Sequence, residues 1–204
     1  MKNENRVILL SMILLNVLLI IILIYSRFFW NNSEVRLRSI NSNLNMEMIY
    51  QNQKKNLTYQ VISDDAKLKG ELRIQNENDS FSNLNSIVSK PTLILRYSEL
   101  NCQSCVDIII SSLLSDSSFN VNNTLLLGYY REPTYLYQFK RVNRINFPIY
   151  NIKEIGLPPD TLNMPYFFIF DQNLTTHNVF IPEEGDTISI KHYLNFAAKK
   201  LINI

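Results

Sequence analysis

Cys102 and Cys105 are the two cysteines of the chain, held in the run Asn101-Cys102-Gln103-Ser104-Cys105. A thiolate is both the form that attacks disulfides and the form that binds metals. Two thiols at this spacing on one turn of helix come within bonding distance of each other. Such a pair can exchange a disulfide with another molecule, stay closed as a structural disulfide, or supply half of a zinc site. Zinc takes about four ligands, commonly from a second closely spaced pair. His177 and His192, the two histidines, have fourteen residues between them and do not form one, so no metal is assigned. A structural disulfide stays open as a reading, because an oxidising compartment can hold the pair closed.

The flanking elements must aim these thiols. Thr92 to Tyr97 is an apolar run with the length and β-branched and aromatic character of a buried strand. A short polar loop follows. From Cys102 onward Val106, Ile108, Ile109, Ile110, Leu113 and Leu114 have the spacing of an apolar helix face, ending near Asp116. Backbone N–H groups on a first helical turn lack intrahelical partners, and the helix dipole favours negative charge there. A thiol on that turn ionises more easily.

Strand, loop and Cys-x-x-Cys at a helix start resemble the thioredoxin superfamily. A second match lies downstream in Asn163-Met164-Pro165-Tyr166-Phe167-Phe168-Ile169-Phe170-Asp171. The segment Phe81 to Pro91, with its Lys-Pro entry, resembles the membrane-tethered, cytochrome-maturation-type branch. The resemblance covers roughly residues 57 to 204. It implies a thioredoxin-like mixed β-sheet flanked by helices, with Pro165 as a cis-proline facing the thiols. It also implies that Met164 offers backbone atoms to an extended partner strand. Cys102 would attack and form a mixed disulfide; Cys105, one turn deeper, would resolve it.

The chain departs from the family pattern beside the cysteines. Asn101 stands where reducing members usually carry Trp, and Ser104 where many carry Pro. The strand position six before Cys102, commonly a buried Asp, is Arg96. Arginine stays protonated and cannot act as a base; facing the thiols it would stabilise a thiolate. Glu99, the nearest carboxylate before the motif, is the candidate to replace the missing base.

The 204-residue chain has room for one domain and an appendage, and its net charge of +2 gives no sign of nucleic-acid binding. Four glycines and no phosphate-loop motif argue against a nucleotide site, and no cofactor is expected. Residues 7–25 form an uncharged, mostly aliphatic run, about long enough as a helix to cross a bilayer. Lys2 and Arg6 precede it, and Ser26-Arg27-Phe28-Phe29-Trp30 follows without a small-x-small cleavage site. The expected organisation is a cytoplasmic tail (1–6), a single-pass transmembrane signal anchor (7–25), a helical stalk (26–56) and a thioredoxin-like domain (57–204). Positive charge flanks the apolar run on both sides, so charge asymmetry does not choose an orientation. Disulfide chemistry favours an extracytoplasmic, periplasmic domain on the inner membrane.

Within the domain, Leu57–Ile62 and Gly70–Ile74 are expected as short strands and 76–82 as loop. A strand at 124–130, a helix from Pro133 to about Asn143, a strand at 147–150 and a Pro-rich loop at 155–162 follow. A hairpin turn at 171–174 leads to a strand at 177–181. Ile188, Ile190, Tyr193, Leu194, Ala197 and Leu201 form the apolar stripe of a closing helix. The α/β order gives a mixed sheet. The function expected is a membrane-anchored thiol–disulfide oxidoreductase acting on exported proteins with cysteines, reset by an upstream thiol donor or acceptor. The altered flanks at Arg96, Asn101, Gln103 and Ser104 keep a second reading open: a thioredoxin-fold module that holds a protein partner without redox turnover.

Overall fold

The computed structural model describes the backbone of residues 2–68 and 71–203 and the side chains of 12–30, 34–68 and 71–201. The chain divides after Gln53 into two compact units. The first lies within helix α1 (Lys2–Ser63). Its apolar side chains from Met12 to Trp30 are exposed. Among the described residues this is one helix long and apolar enough, by length and composition, to cross a membrane.

The last turns of α1 belong to the second unit and correct the strand expected at 57–62. The positions that lose solvent are Asn56, Tyr59, Gln60 and Ser63. Spacings of three and four are those of a helix face, whereas a strand would bury alternate residues. Tyr59 packs against the core. The helix stops at Asp64-Asp65, where Asp65 takes a left-handed φ of 56° and its N–H bonds to the Thr176 carbonyl at 2.7 Å.

The second unit holds a seven-stranded sheet in the order β2-β1-β5-β4-β3-β6-β7. Its strands are β1 (Arg73–Gln75), β2 (Phe81–Asn83), β3 (Thr92–Ser98), β4 (Thr124–Tyr129), β5 (Ile149–Asn151), β6 (Tyr166–Phe170) and β7 (Thr176–Phe180). Gly70, at the head of the strand expected from 70 to 74, lies outside the described residues. Phe81 and Ser82, expected in a loop, instead pair with β1. Between β2 and β3, where the sequence reads as a short helix or turn at 82–89, the chain forms a 3₁₀ turn at Leu84–Ser86.

Central β3 runs parallel to β4 and antiparallel to β6. Helices α2 (Gln103–Ser115) and α3 (Pro133–Val142) connect β3 to β4 and β4 to β5. Both connections step the same way across the sheet, and right-handed crossovers then put both helices on one face. Helix α4 (Thr187–Asn203) joins them there. On β3, Leu93, Leu95 and Tyr97 enter this helical core, while Ile94 enters the core on the opposite face, built from loops, 3₁₀ turns and the end of α1. On α4 the buried stripe is Ile190, Leu194 and Ala197, while Ile188 is exposed, so the stripe begins later than its sequence spacing suggests. On α3, Leu136 and Tyr137 are buried and Tyr135 and Val142 are exposed.

Candidate redox site

Three segments meet at one end of the sheet. Strand β3 ends at Ser98, and the chain turns through 99–101 into α2. Strand β6 is antiparallel to β3, so its first residue, Tyr166, pairs with Arg96 near the end of β3, and the preceding Met164-Pro165 lies beside the α2 entrance. Strand β7 is antiparallel to β6, so the loop leaving it returns to the same end. Together they enclose a pocket of about 160 Å³ lined by Cys102, Cys105, Met164, Pro165 and Glu184.

Cys102 is the N-cap residue of α2 and is exposed; Cys105, inside the first turn, is half-buried. The loop that presents them is tied by Asn101: the Ser98 N–H donates to its side-chain oxygen at 2.7 Å, and the Asn101 N–H donates to the Ser98 carbonyl at 3.0 Å. The residue standing in the usual Trp position therefore closes the turn. The Cys102 sulfur is 3.0 Å from the Ser104 hydroxyl, and its thiol faces Glu184 Oε1 at 3.8 Å. Sulfurs and carboxylate lie within 4.8 Å of one another. Rotation of the side chains can close the sulfurs to a disulfide of about 2.05 Å.

The two thiols differ in acidity. Cys102 is lowered below the ordinary thiol value, first by a hydrogen bond from the Cys105 thiol, then by the Ser104 hydroxyl and the Cys105 backbone N–H. Cys105 is pushed up to about 11, chiefly by burial and then by its bond to Cys102. Glu184 opposes ionisation of both. The arrangement is one exposed, ionisable sulfur backed by a protonated one. It is suited to nucleophilic attack followed by intramolecular displacement.

Arg96 does not face the thiols. It is buried on the opposite face of the sheet, where its Nε lies 3.0 Å from Asp160 Oδ1. Its other nitrogens donate to the carbonyls of Lys153 at 2.6 Å, Leu127 at 3.2 Å and Tyr97 at 3.3 Å. Asp160 also accepts from the Tyr166 hydroxyl at 2.9 Å and the Ile155 N–H at 2.8 Å. The reason is strand parity: Leu95 and Tyr97 point toward α2, so Arg96 between them points away. Glu99 is exposed and is not among the residues lining the thiol pocket; its N–H bonds the Tyr129 carbonyl at 2.9 Å.

The Met164–Pro165 peptide is trans, since no cis peptide bond occurs among the described residues, which corrects the expected cis-proline. Asn163, in the left-handed conformation with φ 51° and ψ 34°, ends the 3₁₀ turn at Pro158–Leu162 before the chain enters β6. Pro165 is buried and Met164 half-buried beside the cysteines. Glu184 is absent from the sequence expectations because it is 82 residues from Cys102 along the chain. The usable signal was topological: a loop leaving a strand parallel to β3 emerges at the same end as the Cys loop. Among the described residues, Cys102, Cys105 and Glu184 are the group that could hold a metal ion. His177 is taken up elsewhere, with Nδ1 2.9 Å from Asp65 and Nε2 3.4 Å from Asp171.

The fold is thioredoxin-like, and the cysteine pair at its helix mouth is consistent with redox activity. No family model and no curated protein matches the chain. Among solved structures it is similar to peroxidoxin BcpB from Mycobacterium tuberculosis, with a TM-score of 0.50 at 13% identity, covering 69% of this chain and 97% of that one. It is also similar to the thioredoxin domain of a thiol-disulfide oxidoreductase from Bacteroides vulgatus, with a TM-score of 0.47 at 10% identity, covering 68% and 97%. A secreted M. tuberculosis disulfide oxidoreductase gives a TM-score of 0.44 at 12% identity, covering 64% and 96%. At 13% identity the likeness to peroxidoxin BcpB is one of fold.

Proposed function

We propose that the protein is a membrane-anchored thiol–disulfide oxidoreductase that exchanges disulfides with exported proteins through Cys102 and Cys105. The observation that carries this reading is the exposed, acidified Cys102 at the mouth of α2, with the protonated Cys105 behind it and Met164-Pro165 across the pocket. Cys102 attacks a disulfide of the partner, and Cys105 displaces the partner from the mixed disulfide. The backbone at Met164 offers its polar groups to an extended partner segment, and Pro165 brings no N–H to compete. Residues 7–25 serve as an uncleaved single-pass anchor, 26–56 as a stalk, and the domain from 57 onward works on the extracytoplasmic side of the inner membrane. A thiol donor or acceptor upstream resets the pair after each turnover.

The test uses the full chain in detergent. Equilibration against glutathione or dithiothreitol buffers should give a two-electron transition that disappears in Cys102→Ala. A Cys105→Ala variant expressed in cells should accumulate mixed disulfides with exported proteins that reductant releases. Thiols that fail to cycle, together with no trapped partner, would assign the fold to holding a protein instead.

A further inference from the structure

Resolution of a mixed disulfide needs Cys105 as a thiolate, and burial, the largest cause, raises that thiol above its ordinary value. At neutral pH a base must take its proton. The strand position that could have carried a base is Arg96, a cation committed to Asp160 on the far face. The titratable groups lining the thiol pocket are Cys102, Cys105, Glu183 and Glu184. Glu184 has its Oε1 3.8 Å from the Cys102 sulfur and lies within 4.8 Å of the Cys105 sulfur. One water, or rotation of this exposed side chain, spans that gap.

We propose that Glu184 is the general base of the resolving step, reaching the cysteine pair from the loop between β7 and α4. The inference rests on the redox reading above. The Glu184 carboxylate takes the proton from the Cys105 thiol. The Cys105 sulfur attacks the Cys102 sulfur, a Cys102–Cys105 bond forms, and the bond from Cys102 to the partner breaks. The partner leaves as a thiolate and takes a proton from Glu184 directly or through water. Two electrons pass from the cysteine pair to the partner's disulfide. The same carboxylate disfavours a charge on either thiol, so it serves as a proton acceptor without stabilising the reduced, ionised pair.

The experiment is stopped-flow reduction of 5,5′-dithiobis(2-nitrobenzoate) by the reduced full chain in detergent, read as thionitrobenzoate release. The first equivalent reports attack by Cys102, and the second reports resolution by Cys105. Glu184→Gln should slow the second phase at pH 7 by about 100-fold or more, in keeping with the size of general-base effects. The first phase should stay as fast or quicken. The second phase should recover as pH rises and hydroxide replaces the missing base. Glu184→Asp should restore part of the rate, and Glu99→Gln should change neither phase. An unchanged second phase in Glu184→Gln, or equal slowing of both phases, overturns the role of Glu184 and leaves the redox reading standing. A parent protein that releases a single equivalent overturns both.

Discussion

At the scale of single residues, a few short contacts decide what the two cysteines can do. Cys102 is lowered by the Cys105 thiol and the Ser104 hydroxyl, while burial raises Cys105 to about 11. Iodoacetamide alkylation of the reduced chain, followed by mass spectrometry, should therefore begin on Cys102 below the ordinary thiol range and reach Cys105 only at higher pH, because burial still raises that thiol. The sign for stability follows. Folded Cys105 keeps its proton from the ordinary 9.0 up to about 11, where the unfolded chain has already lost it. Its contribution is full below pH 9 and is lost as pH rises through that window. The reduced parent should lose more stability there than Cys105→Ala in matched denaturation curves. Arg96 behaves differently, because its side chain is 5% exposed and that of Asp160 13%. Asp160→Ala strands a buried guanidinium, which typically costs about 3–5 kcal/mol. Urea denaturation should register that loss while the alkylation profile of Cys102 stays put, because a sheet separates the two groups.

At the scale of elements, the site depends on where α2 and α3 rest on the sheet. Gly128 in β4 lets α3 approach: a Cβ there would sit 2.5 Å from Leu136 Cδ1. Leu136 is fully buried, so it must shift within the core to make room. Gly128→Ala should therefore cost about 1–3 kcal/mol by overpacking, seen as a lower denaturation midpoint. The strand–loop–helix around Cys102 was legible in the sequence, because a buried strand and an amphipathic helix each carry their own period. The end of α1 reads as a strand in sequence because Leu57-Thr-Tyr-Gln-Val-Ile62 is β-branched and aromatic enough for either state. The core contact of Tyr59 and the burial of Ser63 select the helix. The side of the sheet taken by Arg96 was open to inference from parity with Leu95 and Tyr97. Its partner Asp160, 64 residues away, was not.

At the scale of the whole molecule, the division after Gln53 has a consequence for where the chain can be cut. A chain beginning at Lys54 should unfold cooperatively and keep the alkylation behaviour of Cys102. One beginning at Asp64 should unfold at lower denaturant, because it lacks Tyr59 and the Ser63 carbonyl that accepts from the Thr176 hydroxyl. If residues 7–25 anchor the protein, the full chain should pellet with membranes and resist carbonate extraction, while the chain from Lys54 should stay in the supernatant. The sequence by itself determined what is local: two thiols at the head of a helix, a buried strand before them, an apolar run able to span a bilayer, and a Met-Pro before a second strand. Local periodicity and helix-end electrostatics act within a few residues, so they can be read in order along the chain. Tertiary structure alone decided which distant groups meet. Sheet order and strand direction carried Glu184 to the thiols and locked Arg96 to Asp160 on the far face, and no spacing within a single segment encodes such a meeting.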